Sequence, residues 1–284
     1  MSILSYGFMQ RALLAGILIA SVCATLGVFL ILRREAMIGH GLAHLTFAGV
    51  ALGLLVRLWP MGTALLVAAL SALGIVKLRE KAGIYEDTAI GILSSIGMAA
   101  GVILVSLAGS FNVSLMGYLF GNILAIAPSE LWSSLALAST VFLVIILFYQ
   151  ELLFTTFDSE SAKASGIRVK RLEAMLAALT AAAVVLGMKV VGLLLVAALL
   201  VIPSAAGLQM AGNFFQAIVL AIIIAVISVL LGLFTSFYWN LPASGSIILF
   251  ASLCFLGSLA LRRLRAGLIR LCSGPDNSYK INEE

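Results

Sequence analysis

Long apolar runs separated by short polar stretches dominate the pattern along the chain. A helical membrane span needs about 17–25 mainly apolar residues, because the hydrocarbon core is about 30 Å thick and a helix rises 1.5 Å per residue. Nine charge-free stretches approach or exceed this length, at 12–32, 36–56, 60–76, 88–108, 131–149, 174–188, 190–210, 216–237 and 245–261. The pattern predicts an all-α polytopic membrane protein with eight or nine spans, and the division at Lys189 decides between the two counts.

The composition excludes a water-soluble domain. Of the 284 residues 63% are hydrophobic and 10% are charged, whereas soluble domains average about 45–50% apolar and about 25% charged residues. The cysteines, Cys23, Cys254 and Cys272, form no CxxC pair, which argues against a disulfide framework or a structural zinc cluster.

The basic residues predict the orientation of the spans, because cytoplasmic loops carry an excess of Lys and Arg. With alternating spans, Arg11, Arg57 and Lys189 lie on one side of the membrane. All other basic residues share the opposite side: Arg33, Arg34, Lys77, Arg79, Lys81, Lys163, Arg168, Lys170, Arg171, Arg262, Arg263, Arg265, Arg270 and Lys280. The amino terminus is therefore expected outside and the carboxyl terminus in the cytoplasm. The net charge of +5 reports this topology rather than a nucleic-acid partner.

Two connections between spans are unusual. The outer one, residues 108–130, is too apolar for a free loop and predicts a short helix or re-entrant segment. The inner one, residues 149–175, contains "FDSESAKASG", which predicts a short amphipathic helix that Asp158 or Ser159 caps and Gly166 ends. Residues 1–270 are expected to form one transmembrane domain, and 271–284 a polar cytoplasmic tail without fixed structure.

The only two histidines, His40 and His44, lie four residues apart in an apolar span. At this spacing both side chains lie on one face of a helix, so two neutral imidazoles can share one transition-metal ion such as zinc. The structural alternative is that each ring donates a hydrogen bond to a neighbouring helix. Because ionisable groups within a membrane are costly and usually line an ion path, the metal site is favoured. Its remaining ligands must come from elsewhere, such as a symmetry mate.

Motifs for ATP hydrolysis or self-contained catalysis do not occur in the sequence. It has no GxxxxGK[ST], HExxH or GxSxG, and Glu86, Asp87, Glu130 and Glu151 lie near span ends. A proton- or sodium-driven transporter often needs an acid within the membrane. These observations indicate a non-enzymatic transport subunit that a partner energises. Three alternatives stay open: a self-contained secondary divalent-metal transporter, an intramembrane metalloenzyme, and a permease for siderophores or cobalamin.

Five blocks resemble, in this order, those of the manganese/zinc/iron ABC-importer permeases: "GHGLAHLTFAGVALGLL", "EDTAIGILSSIGMAAGVILVS", "LMGYLFGNILAI", "FDSESAKASGIRVKRLE" and "VVGLLLVAALLVIPSAAG". The resemblance runs from about Leu32 to Arg263. It implies a bacterial plasma-membrane homodimer, two cytoplasmic ABC ATPase subunits that hydrolyse ATP, an extracytoplasmic metal-binding protein, and no permanently bound cofactor. It also implies that residues 157–166 form the coupling helix. The contacts with the ATPase would come from Phe157, Asp158, Glu160, Lys163, Ala164 and Gly166.

Members of that family commonly show Gly-Asp-x-x-x-His in the second span. Matched residue by residue, His44 takes the histidine position, and His40 stands where an aspartate is usual. A carboxylate favours manganese more than an imidazole does, and a second imidazole favours zinc. The transported metal is therefore expected to be zinc first, then manganese or ferrous iron.

Overall fold

The computed structural model describes residues 7–82, 86–107, 121 and 126–272. Within these ranges the regular structure is helical, and nine helices are long and apolar enough to cross a membrane. The helices are α1 (Gly7–Leu32), α2 (Ile38–Val56), α3 (Pro60–Ala82), α4 (Glu86–Leu107), α5 (Pro128–Leu147), α6 (Tyr149–Phe157), α7 (Ser159–Ala164), α8 (Val169–Val191), α9 (Leu193–Met210), α10 (Phe214–Trp239) and α11 (Ala243–Cys272). All except α6 and α7 are of spanning length, which confirms the predicted fold class.

The division between the sixth and seventh spans was placed wrongly at Lys189. The helix α8 continues through Lys189 to Val191, and the break comes at Gly192, whose φ is +92°. Such a φ suits glycine and ends the helix, while a basic residue in the last turn is favourable beside the negative end of the helix dipole. Most of the outer connection (108–120 and 122–125) and residues 273–284 of the tail lie outside the described residues.

The helix α1 forms the centre of the bundle. Of its apolar span 78% is buried, against 22% for α4, and α1 packs against α5, α8, α9 and α10. The close approach of α1 to α9 depends on Gly27, where a Cβ would overlap the backbone oxygen of Leu200. Nearby, the hydroxyl of Ser204 donates a hydrogen bond of 2.9 Å to the backbone oxygen of Ala24. The helix α2 packs mainly between α3 and α4.

A tight reversal joins α1 to α2. Arg34 adopts a left-handed conformation with φ +62°, and the backbone N–H of Glu35 donates to the oxygen of Leu30 at 2.7 Å. The N–H of Ile38 then donates to the oxygen of Glu35 at 3.0 Å, which begins α2. Gly27 near the end of α1 and Gly39 at the start of α2 both approach Leu200, so the start of α2 lies next to the middle of α9.

Two ion pairs mark the two ends of the bundle. Arg33, just after α1, pairs with Glu173 in α8 at 2.8 Å. Lys189, in the last turn of α8, pairs with Glu130 in the first turn of α5 at 2.8 Å. We call the end that holds Arg33, α6, α7 and the start of α8 the basic end of the bundle.

Candidate metal centre

His40 and His44 face each other on the first two turns of α2. Their Nε2 atoms lie 3.1 Å apart, and the rings meet edge to face with centroids 4.7 Å apart. Two nitrogen ligands of a tetrahedral zinc ion, each about 2.0–2.1 Å from the metal, lie about 3.3 Å from each other. The observed separation is therefore close to that of two imidazoles that share one ion. The same separation also fits a hydrogen bond in which one Nε2–H donates to the other Nε2.

A cavity of about 290 Å³ opens between this face of α2 and helix α9. The two histidines supply its imidazole groups, and the other lining residues are Ala36, Met37, Ala43, Leu193, Leu194, Ala197, Ala198 and Val201. His40 is exposed in the chain and His44 is half-buried. Because the wall from α9 is aliphatic, it offers a metal ion no side-chain ligand, so the imidazoles determine the chemistry of this cavity.

The ring of His44 also borders a second cavity, of about 650 Å³, on the side of α4. This cavity is lined by Ser94, Ser95, Met98, Ala99, Val102 and Ile103. His44 therefore stands between two spaces, one against α9 and one against α4.

Glycines on both sides of His40 allow α2 to approach its neighbours. A Cβ at Gly39 would overlap the side chain of Leu200 near the middle of α9, and one at Gly41 would lie 2.6 Å from Cγ2 of Ile90 in α4. The Gly39 contact places the start of α2 beside the middle of α9, and the Gly41 contact places it beside the second turn of α4.

The described residues contain no group of three or more His, Cys, Asp or Glu side chains that could hold a metal ion. The assignment of His40 and His44 as metal ligands stays a prediction, as does the source of further donors. The Nδ1 atom of His44 is buried and has no hydrogen-bond partner among the described residues. Metal-bound imidazoles commonly donate through the second nitrogen, so this ring lacks that support within the described chain.

The predicted amphipathic helix in the inner connection is confirmed as α7. Asp158, not Ser159, is its cap: Oδ1 accepts the backbone N–H of Ser161 at 2.9 Å, and Oδ2 accepts the Ser161 hydroxyl at 2.5 Å. The side-chain bond, followed by the backbone bond, lowers the pKa of the Asp158 carboxyl below its ordinary value. Gly166, with φ +83°, follows the helix end at Ala164.

The polar groups of α7 face solvent, and an aromatic side chain stands beside them. Lys163 pairs with Glu160 at 2.6 Å, and both side chains are largely exposed. Phe157, the last residue of α6, is 66% exposed yet contacts Phe214 at a centroid distance of 6.1 Å. The structure thus brings the predicted coupling residues into one projecting segment, residues 157–166, which we call the coupling segment. Their role stays a prediction.

A buried charged cluster was missed from sequence. Arg33 lies within ion-pair distance of both Glu35 and Glu173, and its side chain is 6% exposed. In the sequence Arg33 indicated topology only. The signal that could have found the cluster is weak, because Glu173 lies far from Arg33 along the chain.

Comparisons with known proteins agree with this architecture. Residues 5–262 match the model of the ABC 3 transport family. The chain is 34% identical over 253 residues to the manganese transport system membrane protein MntC of Halalkalibacterium halodurans, covering 89% of this chain and 87% of that protein. It is 34% identical over 248 residues to the high-affinity zinc uptake system membrane protein ZnuB of Haemophilus influenzae, covering 87% and 95%.

A solved structure is also similar. The PsaBC structure from Streptococcus pneumoniae in complex with Fab superposes with a TM-score of 0.81 at 34% identity, covering 89% of this chain and 91% of that chain. The fold and these matches define a multi-pass permease of the plasma membrane. The chain belongs to the ABC 3 transport family and is a metal-ion ABC transporter permease.

Proposed function

We propose that this chain takes up a divalent transition metal, zinc first and then manganese or iron, by ATP-driven alternating access. The observation that carries the proposal is the 3.1 Å separation of the Nε2 atoms of His40 and His44. Imidazole nitrogen is a ligand for zinc and for other first-row metals, and an ion in transit needs ligands weak enough to release it. Two imidazoles in a cavity whose other lining side chains are apolar fit that requirement.

The proposed topology places the basic end in the cytoplasm, the amino terminus outside and the carboxyl terminus inside. Only three of the 17 basic residues, Arg11, Arg57 and Lys189, belong to the opposite side. In this orientation the coupling segment projects into the cytoplasm, and the Glu130–Lys189 pair lies on the outer side.

The proposed assembly is a homodimer in which residues 1–270 of each chain form one permease domain. Two copies would bring four imidazoles to the metal path, which could complete the coordination shell that one chain leaves open. Two ABC ATPase subunits would seat on the coupling segments and hydrolyse ATP, since this chain has no P-loop. Phe157 and Ala164 would supply the apolar contact and Asp158, Glu160 and Lys163 the polar ones, with Gly166 ending the segment. An extracytoplasmic metal-binding protein would deliver the ion.

The preference for zinc is supported by His40, which replaces the carboxylate that hard metals favour. The relatives carry both metals in their names, manganese in MntC and zinc in ZnuB. Their names therefore support transport of a divalent metal, and the proposed preference for zinc rests on the histidine pair.

The test is metal uptake by proteoliposomes that contain the chain with its ATPase and binding protein. We expect ⁶⁵Zn²⁺ uptake that requires both ATP and the binding protein, with only weak competition from excess Mn²⁺. The double variant His40→Ala/His44→Ala should assemble but show no uptake. Strong Mn²⁺ uptake without zinc competition would contradict the zinc preference. Unchanged uptake by the double variant would reject the site, and uptake by the chain alone without ATPase would favour a secondary transporter.

A further inference from the structure

The ion cluster around Arg33 lies at the basic end and takes no part in the proposed metal chemistry. The Nη2 atom of Arg33 lies 2.8 Å from Oε1 of Glu173, and Nε lies 3.4 Å from Oε1 of Glu35. The exposed fractions of the three side chains are 6%, 14% and 10% for Arg33, Glu173 and Glu35. Burying three charges is costly and stabilises a fold poorly compared with apolar packing. Such a cluster is better explained by the geometry that it enforces between elements.

A cavity of about 380 Å³ separates this cluster from the coupling segment. Arg33, Glu35 and Glu173 line one side of it, and Thr156, Phe157 and Ser159 line the other. The Nη1 atom of Arg33 is buried without a hydrogen-bond partner among the described residues. The cluster therefore adjoins the coupling segment across a polar space, with one donor of the guanidinium not committed to either carboxylate.

The cluster is also connected through the backbone to the start of α2, which carries the two histidines. Glu35 accepts at its backbone oxygen the N–H of Ile38, the first residue of α2, at 3.0 Å. His40 follows two residues later on the same first turn. Only residues 33–37 separate α1 from α2, so a shift of Glu35 would reach the start of α2 through a short connection.

The last turns of α1 are also connected to the coupling segment through the aromatic ring of Phe214. Phe29, one turn before Arg33, packs edge to face against Phe214 at a centroid distance of 5.1 Å. Phe214 in turn contacts Phe157 at 6.1 Å and Tyr149 at 6.0 Å. Through Phe214, the end of α1 is in apolar contact with α6, while Arg33 forms an ion pair with α8.

We propose that Arg33 is a positioning residue that transmits movement of the coupling segment to the histidine pair. The helix α7 leads into α8 through four residues, 165–168, so displacement of α7 shifts the start of α8 and with it Glu173. Arg33, which is paired with Glu173, would move with it and shift Glu35 and the first turn of α2. The inference rests on the proposed function, since it assigns a route to ATP-driven coupling, and it adds a residue outside both the metal site and the coupling segment.

The test measures zinc uptake and ATP hydrolysis on the same proteoliposomes containing the complete importer. Arg33→Gln keeps a polar, though shorter, side chain and removes the charge; Arg262→Gln, an exposed arginine of α11 outside the cluster, is the matched control. We expect at least a tenfold lower uptake per ATP hydrolysed for Arg33→Gln, an intermediate ratio for Arg33→Lys, and the wild-type ratio for Arg262→Gln. Zn²⁺ binding to the purified Arg33→Gln permease should remain within about twofold of wild type, because the imidazoles are intact.

A double-variant cycle separates a mechanical link from a general loss of structure. Glu173→Gln should reduce the coupling ratio as Arg33→Gln does, and the double variant should be no worse than either single one, because both break the same contact. If Arg33→Gln does not assemble, Arg33→Lys and Glu173→Gln decide. A wild-type coupling ratio in the assembled variants, or additive losses in the double variant, would overturn the link. Absence of ATP-dependent uptake in the wild type would instead reject the proposed function.

Discussion

The Oε1 atom of Glu130 lies 2.8 Å from Nζ of Lys189, and this pair fastens the start of α5 to the end of α8. The other carboxylate oxygen of Glu130 accepts the backbone N–H of Ala127 at 3.0 Å. Glu130 is 15% exposed at its side chain and Lys189 is 41% exposed. The acid therefore makes two contacts in a mostly buried position, and the lysine makes one in a more exposed position.

Replacement of Glu130 should destabilise the protein more than replacement of Lys189. Both replacements remove the partly exposed ion pair, which contributes about 0–1 kcal/mol, but only replacement of Glu130 also removes the hydrogen bond at the start of α5, which costs about 1 kcal/mol. We expect Glu130→Ala to lower the free energy of unfolding by about 1 kcal/mol more than Lys189→Ala, as a lower Tm in detergent. Glu151→Ala, which removes an exposed acid at the basic end, is the charge control. An equal or larger loss of stability for Lys189→Ala would show that the hydrogen bond to Ala127 does not contribute to stability.

Replacement of His40 by aspartate should shift the transported metal from zinc towards manganese. The substitution introduces the carboxylate that is common at this position in the family that the sequence resembles, and it keeps His44 as the proposed imidazole ligand. We expect the ratio of manganese to zinc uptake to rise about tenfold in His40→Asp, measured by competition in proteoliposomes. His40→Ala removes a ligand without adding a carboxylate, so it should lower uptake of both metals. A fall in manganese uptake in His40→Asp would contradict this assignment.

Metal binding by the purified chain should weaken as the pH falls. Only neutral imidazoles bind metal, so protons compete with Zn²⁺ for the ring nitrogens. With two imidazole ligands, the Zn²⁺ affinity should fall on the order of tenfold to a hundredfold per pH unit once the rings take up protons. Isothermal titration at several pH values gives the slope. His40→Asp should show a shallower slope, because one fewer imidazole releases a proton; an unchanged slope would remove His40 from the ligand set.

Loss of the Asp158 cap should impair coupling and leave metal binding intact. Asp158→Ala removes the acceptor for the Ser161 N–H, so α7 frays at its start, whereas Asp158→Asn retains an oxygen at the same place. We expect several-fold lower zinc-dependent ATP hydrolysis for Asp158→Ala and a near wild-type rate for Asp158→Asn. Equal rates for Asp158→Ala and wild type would argue against the capped helix as the coupling element.

The lowered pKa of Asp158 sets the sign of its pH dependence. Folding depresses the pKa below the ordinary value of 3.8, so the cap contributes fully above that value and is lost as the pH falls through the lowered pKa. Helicity of the coupling segment should therefore be unaffected by Asp158 between pH 5 and 8. A change of amide-exchange protection at Ser161 within that range would contradict this.

The features that sequence predicted well are local ones. The spans follow from apolar length, the histidine pair from a four-residue spacing, and α7 from an acidic cap and a glycine end. Each of these signals lies within a few residues of the feature that it predicts. The structure therefore agrees with the sequence wherever helical geometry alone decides the outcome.

The features that sequence missed depend on contacts between distant segments. Burial of Arg33 requires Glu173, which α8 brings to the end of α1. The break at Gly192 was placed at Lys189 because a charge within an apolar run suggests a span end, yet Lys189 pairs with Glu130 and continues the helix. The tight reversal at Arg34, after which Gly39 approaches Leu200 of α9, is likewise not revealed by any apolar pattern.

The position of His40 in the first turn of α2 has an electrostatic consequence. The free N–H groups at a helix start carry partial positive charge, and the first turn of α2 contains no acidic residue to offset it. A divalent cation held by His40 would therefore meet unfavourable backbone dipoles that an aspartate at this position would partly cancel. The helix that presents the proposed ligands would also repel the ion, which would favour short residence of the cargo over retention.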